Sequence, residues 1–269
     1  AANTTEFALW IGGQKVSELD SLYIQGVHNP LMRDSAAKAS FAVTTNTRKE
    51  NNTGNHYMIP FFFGEDWTKA LPLVALQYHD VEIRVKCRDG FTPTTTPKVY
   101  GNYIYLDTDE RKYFTDTEHE LLITQTQYQL TSNTDTDIDL SYFNHPVKSI
   151  HVVSGESSGS NWADEYNFST SSLYINGTPL FENTSNVYHH DVVPEMHCTD
   201  LPDSIINDLP TYSWPFCLTM SKMQPTGSLN FSRIDNAKLV LNNPTGGNSL
   251  HRVYAVNYNI LRIKNGMAG

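Results

Sequence analysis

The 269-residue chain carries 29 acidic against 19 basic side chains, and a formal charge of −10 is the wrong sign for coating nucleic acid, where phosphate binding needs a basic face. Its length admits one large domain or two ordinary ones, each able to bury a core without disulfides or metals, and no apolar run approaches the ~18 residues of a membrane span. Three scattered cysteines, Cys87, Cys198 and Cys217, fit a reducing compartment rather than a disulfide scaffold, while 12% aromatics with many Thr, Asn and Tyr favour strands over helices.

From the N-terminus, Phe7 to Val16 is expected as a strand in which Gly12-Gly13 permits a bulge or turn. Nothing resembling a signal peptide precedes it, and the absent initiator Met suggests a fragment. A polar segment, Glu18 to Asn55, reads as a long functional loop with a short helix over Leu31 to Lys38. A strand at Tyr57, a turn at Gly64-Glu-Asp-Trp67 and a bent strand pair, Ala70 to Leu76 and Val81 to Val85, come next. In the second of these Val81, Ile83 and Val85 alternate with Glu82, Arg84 and Lys86, which predicts one buried face and one solvated face. A Thr/Pro loop, Phe91 to Pro97, leads to a strand at Val99 to Asp107, and Asp107 to Phe114 reads as a capped helical turn with Glu110 early in it.

Beyond a boundary near Thr117, strands are expected at Glu120 to Leu130, Ile138 to Phe143 and Lys148 to Ser154. A Gly/Ser-rich insertion, Gly155 to Ser169, precedes a strand at Leu173 to Asn176, and a polar segment runs to Asp208. A strand at Tyr212 follows, then a second bent pair, Ser228 to Arg233 and Asn236 to Leu241 about the corner Ile234-Asp235, and a closing strand at Val253 to Ile263. The fold class is therefore all-β.

The two bent pairs suggest one unit used twice. Tyr57-Met-Ile-Pro-Phe and Tyr212-Ser-Trp-Pro-Phe lie 155 residues apart, as do Asn102-Tyr103 and Asn257-Tyr258, while Leu9-Trp-Ile-Gly-Gly and Leu173-Tyr-Ile-Asn-Gly lie 164 apart. Landmarks in one order at nearly one spacing argue for a duplicated domain. On this register roughly fifty residues of a domain-sized unit are expected upstream of the first copy.

Three stretches carry a family resemblance: Gly227-Ser-Leu-Asn-Phe-Ser-Arg-Ile-Asp-Asn-Ala237, Tyr254-Ala-Val-Asn-Tyr-Asn-Ile-Leu-Arg-Ile263 with Gly266-Met267, and Leu71-Pro-Leu-Val-Ala-Leu-Gln-Tyr-His79. They resemble the major capsid proteins of large icosahedral double-stranded DNA viruses of the algal-virus and iridovirus type. The resemblance implies a tandem double jelly roll of two antiparallel sandwiches. Residues 1–117 would be the C-terminal part of the first roll (strands E to I plus a linker), truncated at its N-terminus, and residues 118–269 the second. It implies a structural protein of the virion shell, assembled in the host cytoplasm. Three chains would form a pseudo-hexagonal capsomer that contacts neighbouring capsomers and minor capsid proteins, without catalysis, cofactor, direct nucleic-acid contact or membrane insertion. The alternative from another class is a jelly-roll carbohydrate-binding protein, since that architecture also serves lectins.

Other chemistry is weaker. Gly155-Glu-Ser157-Ser-Gly159 matches the nucleophile elbow G-x-S-x-G, but no apolar helical stripe follows Ser157, so a plain loop is expected. His189-His190, His197 and Cys198 lack paired metal-ligand spacing and read as exposed loop residues. Asp135, Asp137 and Asp139 lack the Gly and terminal Glu of a calcium loop and alternate onto one strand face. Trp10, Tyr174, Trp214, Tyr254 and Tyr258 read as sandwich core before they read as a sugar platform. Sequons stand at Asn3, Asn51, Asn167, Asn176, Asn183 and Asn230. Asn167, Asn183 and Asn51 are the glycosylation candidates, with Asn167 foremost because the loop Gly155 to Thr170 is expected to face outward, and Asn230 is excluded by its strand.

Overall fold

A computed structural model describes residues 4–32, 59–87, 98–132, 134–155, 166–199, 211–245 and 250–269. Its first strands, Glu6–Ile11 (β1) and Gln14–Asp20 (β2), form a hairpin closed by Gly12-Gly13, whose φ angles of 57° and 79° are those of a two-residue turn matched to strand twist. Val81–Lys86 (β3) pairs with the other edge of β1, giving a sheet ordered β2-β1-β3. After β2 comes buried helical backbone, Ser21–Tyr23, a π-helical turn Ile24–His28, and Asn29–Met32. Asp20 starts it by accepting from the Tyr23 amide at 2.6 Å.

The helix Thr108–Asp116 stands where the capped turn was expected. Its capping box is complete: Asp107 Oδ1 accepts from the Thr108 amide at 2.7 Å, its side chain also serves the Glu110 amide, and Glu110 accepts from the Asp107 amide at 2.9 Å. The remaining strands are His119–Thr131 (β4), Asp137–Asp139 (β5), Pro146–Gly155 (β6), Thr170–Ile175 (β7), Thr178–Ser185 (β8), Thr211–Pro215 (β9), Leu229–Asn230 (β10), Ala237–Asn242 (β11), Leu250–Lys264 (β12) and Met267–Ala268 (β13). All pairs are antiparallel. One sheet runs β10-β6-β12-β13 with β4 on β12 and β9 on β6; a second runs β5-β11-β7-β8.

Side-chain parity on β12 separates two cores. Val253 and Ala255 point into the sandwich, against Leu173, Trp214, Leu239 and Leu241, whereas Tyr254 and Val256 point the other way, onto Leu9, Ile11, Leu22 and Val27. A strand buried on both faces carries no polar alternation, which is why Val253-Tyr-Ala-Val256 is continuously apolar. The two units thus share one sheet as a common wall.

Several expected strands are absent. Ala70 to Leu76 is not a strand but a 3-10 turn at Leu73–Ala75, because Pro72 has no N–H to give a ladder. The expected turn at Gly64 to Trp67 is a helical turn, Phe62–Glu65, followed by a 3-10 turn, Trp67–Lys69, that Asp66 caps through the Thr68 amide. Tyr57 lies outside the described residues. Val99 to Asp107 has strand-like alternation but no partner strand among the described residues, and nearly all its side chains are exposed; Tyr103 is 70% accessible, whereas Tyr258, its supposed counterpart, is 5% accessible in β12. That pairing of the copies fails. β3 is exposed along nearly all its length instead of having one buried face.

In the second unit Ser228 to Arg233 keeps only β10 as strand, since Asn230 turns the chain by accepting from Ser232 at 3.1 Å and Phe231–Arg233 closes a 3-10 turn. Ile138 to Phe143 keeps only β5. The supposed polar segment before Asp208 holds β8, a π-helical turn Tyr188–Val192 and a helix Val193–His197. Instead of eight strands there are ten among the described residues, two of them dipeptides. The predicted helix at Leu31 to Lys38 overlaps the observed one only at Leu31 and Met32, and the rest lies outside the described residues.

Candidate functional site

For a chain built of sandwiches, the chemistry that matters is what holds the block together and what it shows to neighbours. At the seam between the units, the Asp20 carboxylate receives a charge-assisted hydrogen bond from Arg252 Nη1 and another from the Tyr254 hydroxyl at 2.8 Å, with both charged side chains essentially inaccessible. Arg252 also stacks 4.6 Å over the Tyr128 ring, while its Nε and Nη2 have no hydrogen-bond partner among the described residues. Burial pushes the Asp20 carboxyl above its ordinary value, and Arg252, the Tyr23 amide and Tyr254 pull against that shift. This ion pair joins residues 232 apart in sequence and was missed in the sequence, where neither residue belongs to a motif.

The suspected histidine group disperses. His189 is not an exposed loop residue: it is fully buried, stacks on Trp214 with centroids 4.6 Å apart and bonds through Nδ1 to the Ser213 carbonyl at 3.0 Å. His190 and His197 bond to the Thr211 and Leu218 carbonyls, and Cys198 packs beside Cys217 and Met220. Among the described residues no group of three His, Cys, Asp or Glu side chains is placed to hold a metal. Asp137 and Asp139 flank buried Ile138 on β5, with Asp137 3.0 Å from Lys238; Asp135 lies outside the strand and accepts from the Ser132 amide at 2.8 Å. Ser157 lies outside the described residues.

Trp214, Tyr254 and Tyr258 are core side chains, while Trp10 and Tyr174 are half-buried, Trp10 lying under the Arg84 guanidinium at 4.1 Å. Apolar side chains do reach the surface elsewhere: Val99, Tyr100, Tyr103, Ile104 and Tyr105 are all more than half exposed in one extended stretch. No helix among the described residues is long and apolar enough to cross a membrane.

Of the sequon residues, Asn51 lies outside the described residues. Asn167 is exposed and bridges to Thr245, and its Oδ1 accepts from the Phe168 amide at 2.8 Å and from Asn186 Nδ2 at 2.5 Å. The loop around it is less open than expected, because Tyr166 and Phe168 on either side are buried; residues 156–165 lie outside the described residues. Asn183 is exposed on edge strand β8 with φ +48°. Asn176 sits in the β7–β8 turn, and half-buried Asn230 caps a 3-10 turn.

Comparison with known proteins places this architecture. A family model described as large eukaryotic DNA virus major capsid protein matches residues 110–269, and one described as major capsid protein N-terminus matches residues 3–107. The major capsid protein of Pyramimonas orientalis virus is 31% identical over 96% of this chain and 74% of its own length; that of Paramecium bursaria Chlorella virus 1 is 26% identical over 97% and 77%. Among solved structures, PBCV-1 VP54 superposes with a TM-score of 0.77 at 23% identity, over 98% of this chain and 82% of that one. The Faustovirus major capsid protein gives 0.62 at 11% identity, over 96% and 71%. The fold is the expected double jelly roll, the relatives are structural proteins and not enzymes, and the carbohydrate-binding alternative gains no support. This chain belongs to the major capsid protein family of large eukaryotic DNA viruses.

Proposed function

We propose that the chain is a shell building block in which residues 1–117 and 118–269 act as the two rolls and three copies associate into a pseudo-hexagonal capsomer. The observation that carries this is the welded seam: a shared sheet and a buried Asp20–Arg252 pair fix the units in one block, so one chain presents two wedges and three chains present six. The two family models meet between residues 107 and 110, at the start of the Thr108–Asp116 helix, which supports a chain of two units joined near that helix. The exposed run Val99 to Tyr105 supports a contact surface for another copy, for neighbouring capsomers or for minor capsid proteins. Its place is the virion shell, with assembly in the host cytoplasm. Light scattering coupled to size exclusion is expected to give three times the 30.4 kDa chain mass; a monomer or dimer at every concentration overturns the capsomer.

The surface also favours modification. Asn167 is exposed, its amide oxygen is already engaged, and its amide nitrogen, the atom a glycan takes, makes no hydrogen bond among the described residues. Asn183 and Asn51 follow it. Peptide mapping of particles is expected to find sugar on Asn167 and none on Asn230, which is half-buried in β10, and sugar on Asn230 would overturn this ranking.

A further inference from the structure

A cavity of about 260 Å³ lies at the seam, walled on one side by β2 and the helical segments of the first unit and on the other by β4, β6 and β12. Lys148 on β6 lines it while only 4% accessible. Its ammonium makes no hydrogen bond and no ion pair among the described residues and lies 5.8 Å over the Tyr258 ring. A buried ammonium without a counter-charge is unstable, and burial drives the Lys148 pKa down, with Glu65 acting against that shift. Glu65 lines the same space, 4.0 Å from His28 and 3.5 Å from the Thr124 hydroxyl, and Thr126 and Ser221 add further hydroxyls.

These groups select among ligands. A metal cation would meet Lys148, a fully ionised anion would meet Glu65, and an apolar molecule would strip the hydroxyls of water without replacing their bonds. An oxyanion that keeps a proton meets both demands: its charged oxygens accept from Lys148 and the hydroxyls, and its O–H donates to Glu65. The volume admits such an ion with several waters at about 30 Å³ each. We propose that this cavity is a binding site for the free hydrogen phosphate ion, held between Lys148 and Glu65 so that it ties the two units together.

Thermal unfolding of the full chain at pH 7, at matched ionic strength, tests this against sulfate and against methyl phosphate, which are unprotonated or mostly so at that pH. Phosphate is expected to raise Tm with a saturating concentration dependence, as a ligand of the folded state does, while sulfate and methyl phosphate stay near a chloride control. Lys148→Met is expected to abolish the phosphate response, and Glu65→Gln to let sulfate stabilise as well as phosphate. Broadening of the phosphate ³¹P resonance by wild-type protein gives a second readout that needs no variant to fold. Equal responses to phosphate and sulfate overturn the proposal, as does an equal response to methyl phosphate. Absence of both a Tm shift and broadening means that the cavity holds ordered water only, which also overturns it.

Discussion

His151, His189 and His251 are all fully inaccessible, and each is held neutral. Burial lowers His151 to about 3, with help from the Lys148 charge, and lowers His189 to about 4 against the Ser213 carbonyl hydrogen bond. His251 is lowered to about 4 by burial, opposed by Asp135. In the unfolded chain they titrate near the ordinary 6.5, so below that pH the unfolded state binds protons that the folded state refuses. Stability is therefore fully present above pH about 6.5 and falls as pH drops toward about 4, each unit of depression being worth about 1.4 kcal/mol. His251 contributes with no hydrogen bond to soften it, since neither ring nitrogen has a hydrogen-bond partner among the described residues and the ring packs 4.0 Å from Tyr166. His251→Phe is expected to flatten this acid loss and lower the pH midpoint of unfolding, followed by circular dichroism from pH 7.5 to 4. An unchanged midpoint would mean that the ring is already hydrated or charged.

Among the elements, three hairpins share one device, a two-residue turn with positive φ at both positions: Gly12-Gly13, Asn176-Gly177 and Asn265-Gly266. Within the first, the two glycines differ in surroundings. A Cβ on Gly13 meets open space, so Gly13→Ala pays only left-handed backbone strain of about 1 kcal/mol. One on Gly12 would lie 2.3 Å from the His79 ring, which also accepts from the Ala268 amide at 3.1 Å, so Gly12→Ala is expected to cost clearly more. Denaturant midpoints of the two variants check that order, and equal losses would mean that His79 swings aside freely. The same turns show what was readable beforehand. Long alternating runs such as β4 and the capped Thr108–Asp116 helix announced themselves, because their determinants are local. β8 was equally announced by Asn176-Gly177 but was obscured by its polar composition, which is that of an exposed edge strand. Val99 to Asp107 failed for the opposite reason: alternation supplies faces, but a strand also needs a neighbour's N–H and C=O groups, and no partner strand stands beside it among the described residues.

At the scale of the whole molecule, what the sequence hid was the seam, including the cavity beside Lys148. No spacing rule links Asp20 with Arg252, and the two faces of β12 look alike in sequence because both are buried. The seam's ion pair stabilises the union only while both charges are present, since either charge alone would be left dry in a low-dielectric interior. Arg252→Met is therefore expected to cost about 3–5 kcal/mol by uncovering the Asp20 carboxylate. Asp20→Asn removes the charge yet keeps an oxygen for the Tyr23 amide, so it leaves the start of the helical segment capped. In the Asp20→Asn/Arg252→Met double variant, methionine fills the arginine's space and no unpaired charge remains, so the double variant is expected to be more stable than Arg252→Met alone. Urea unfolding of the two singles and the double closes the cycle. Additive losses would show that the pair does not act as a unit, and that packing across β12 alone holds the two units as one block.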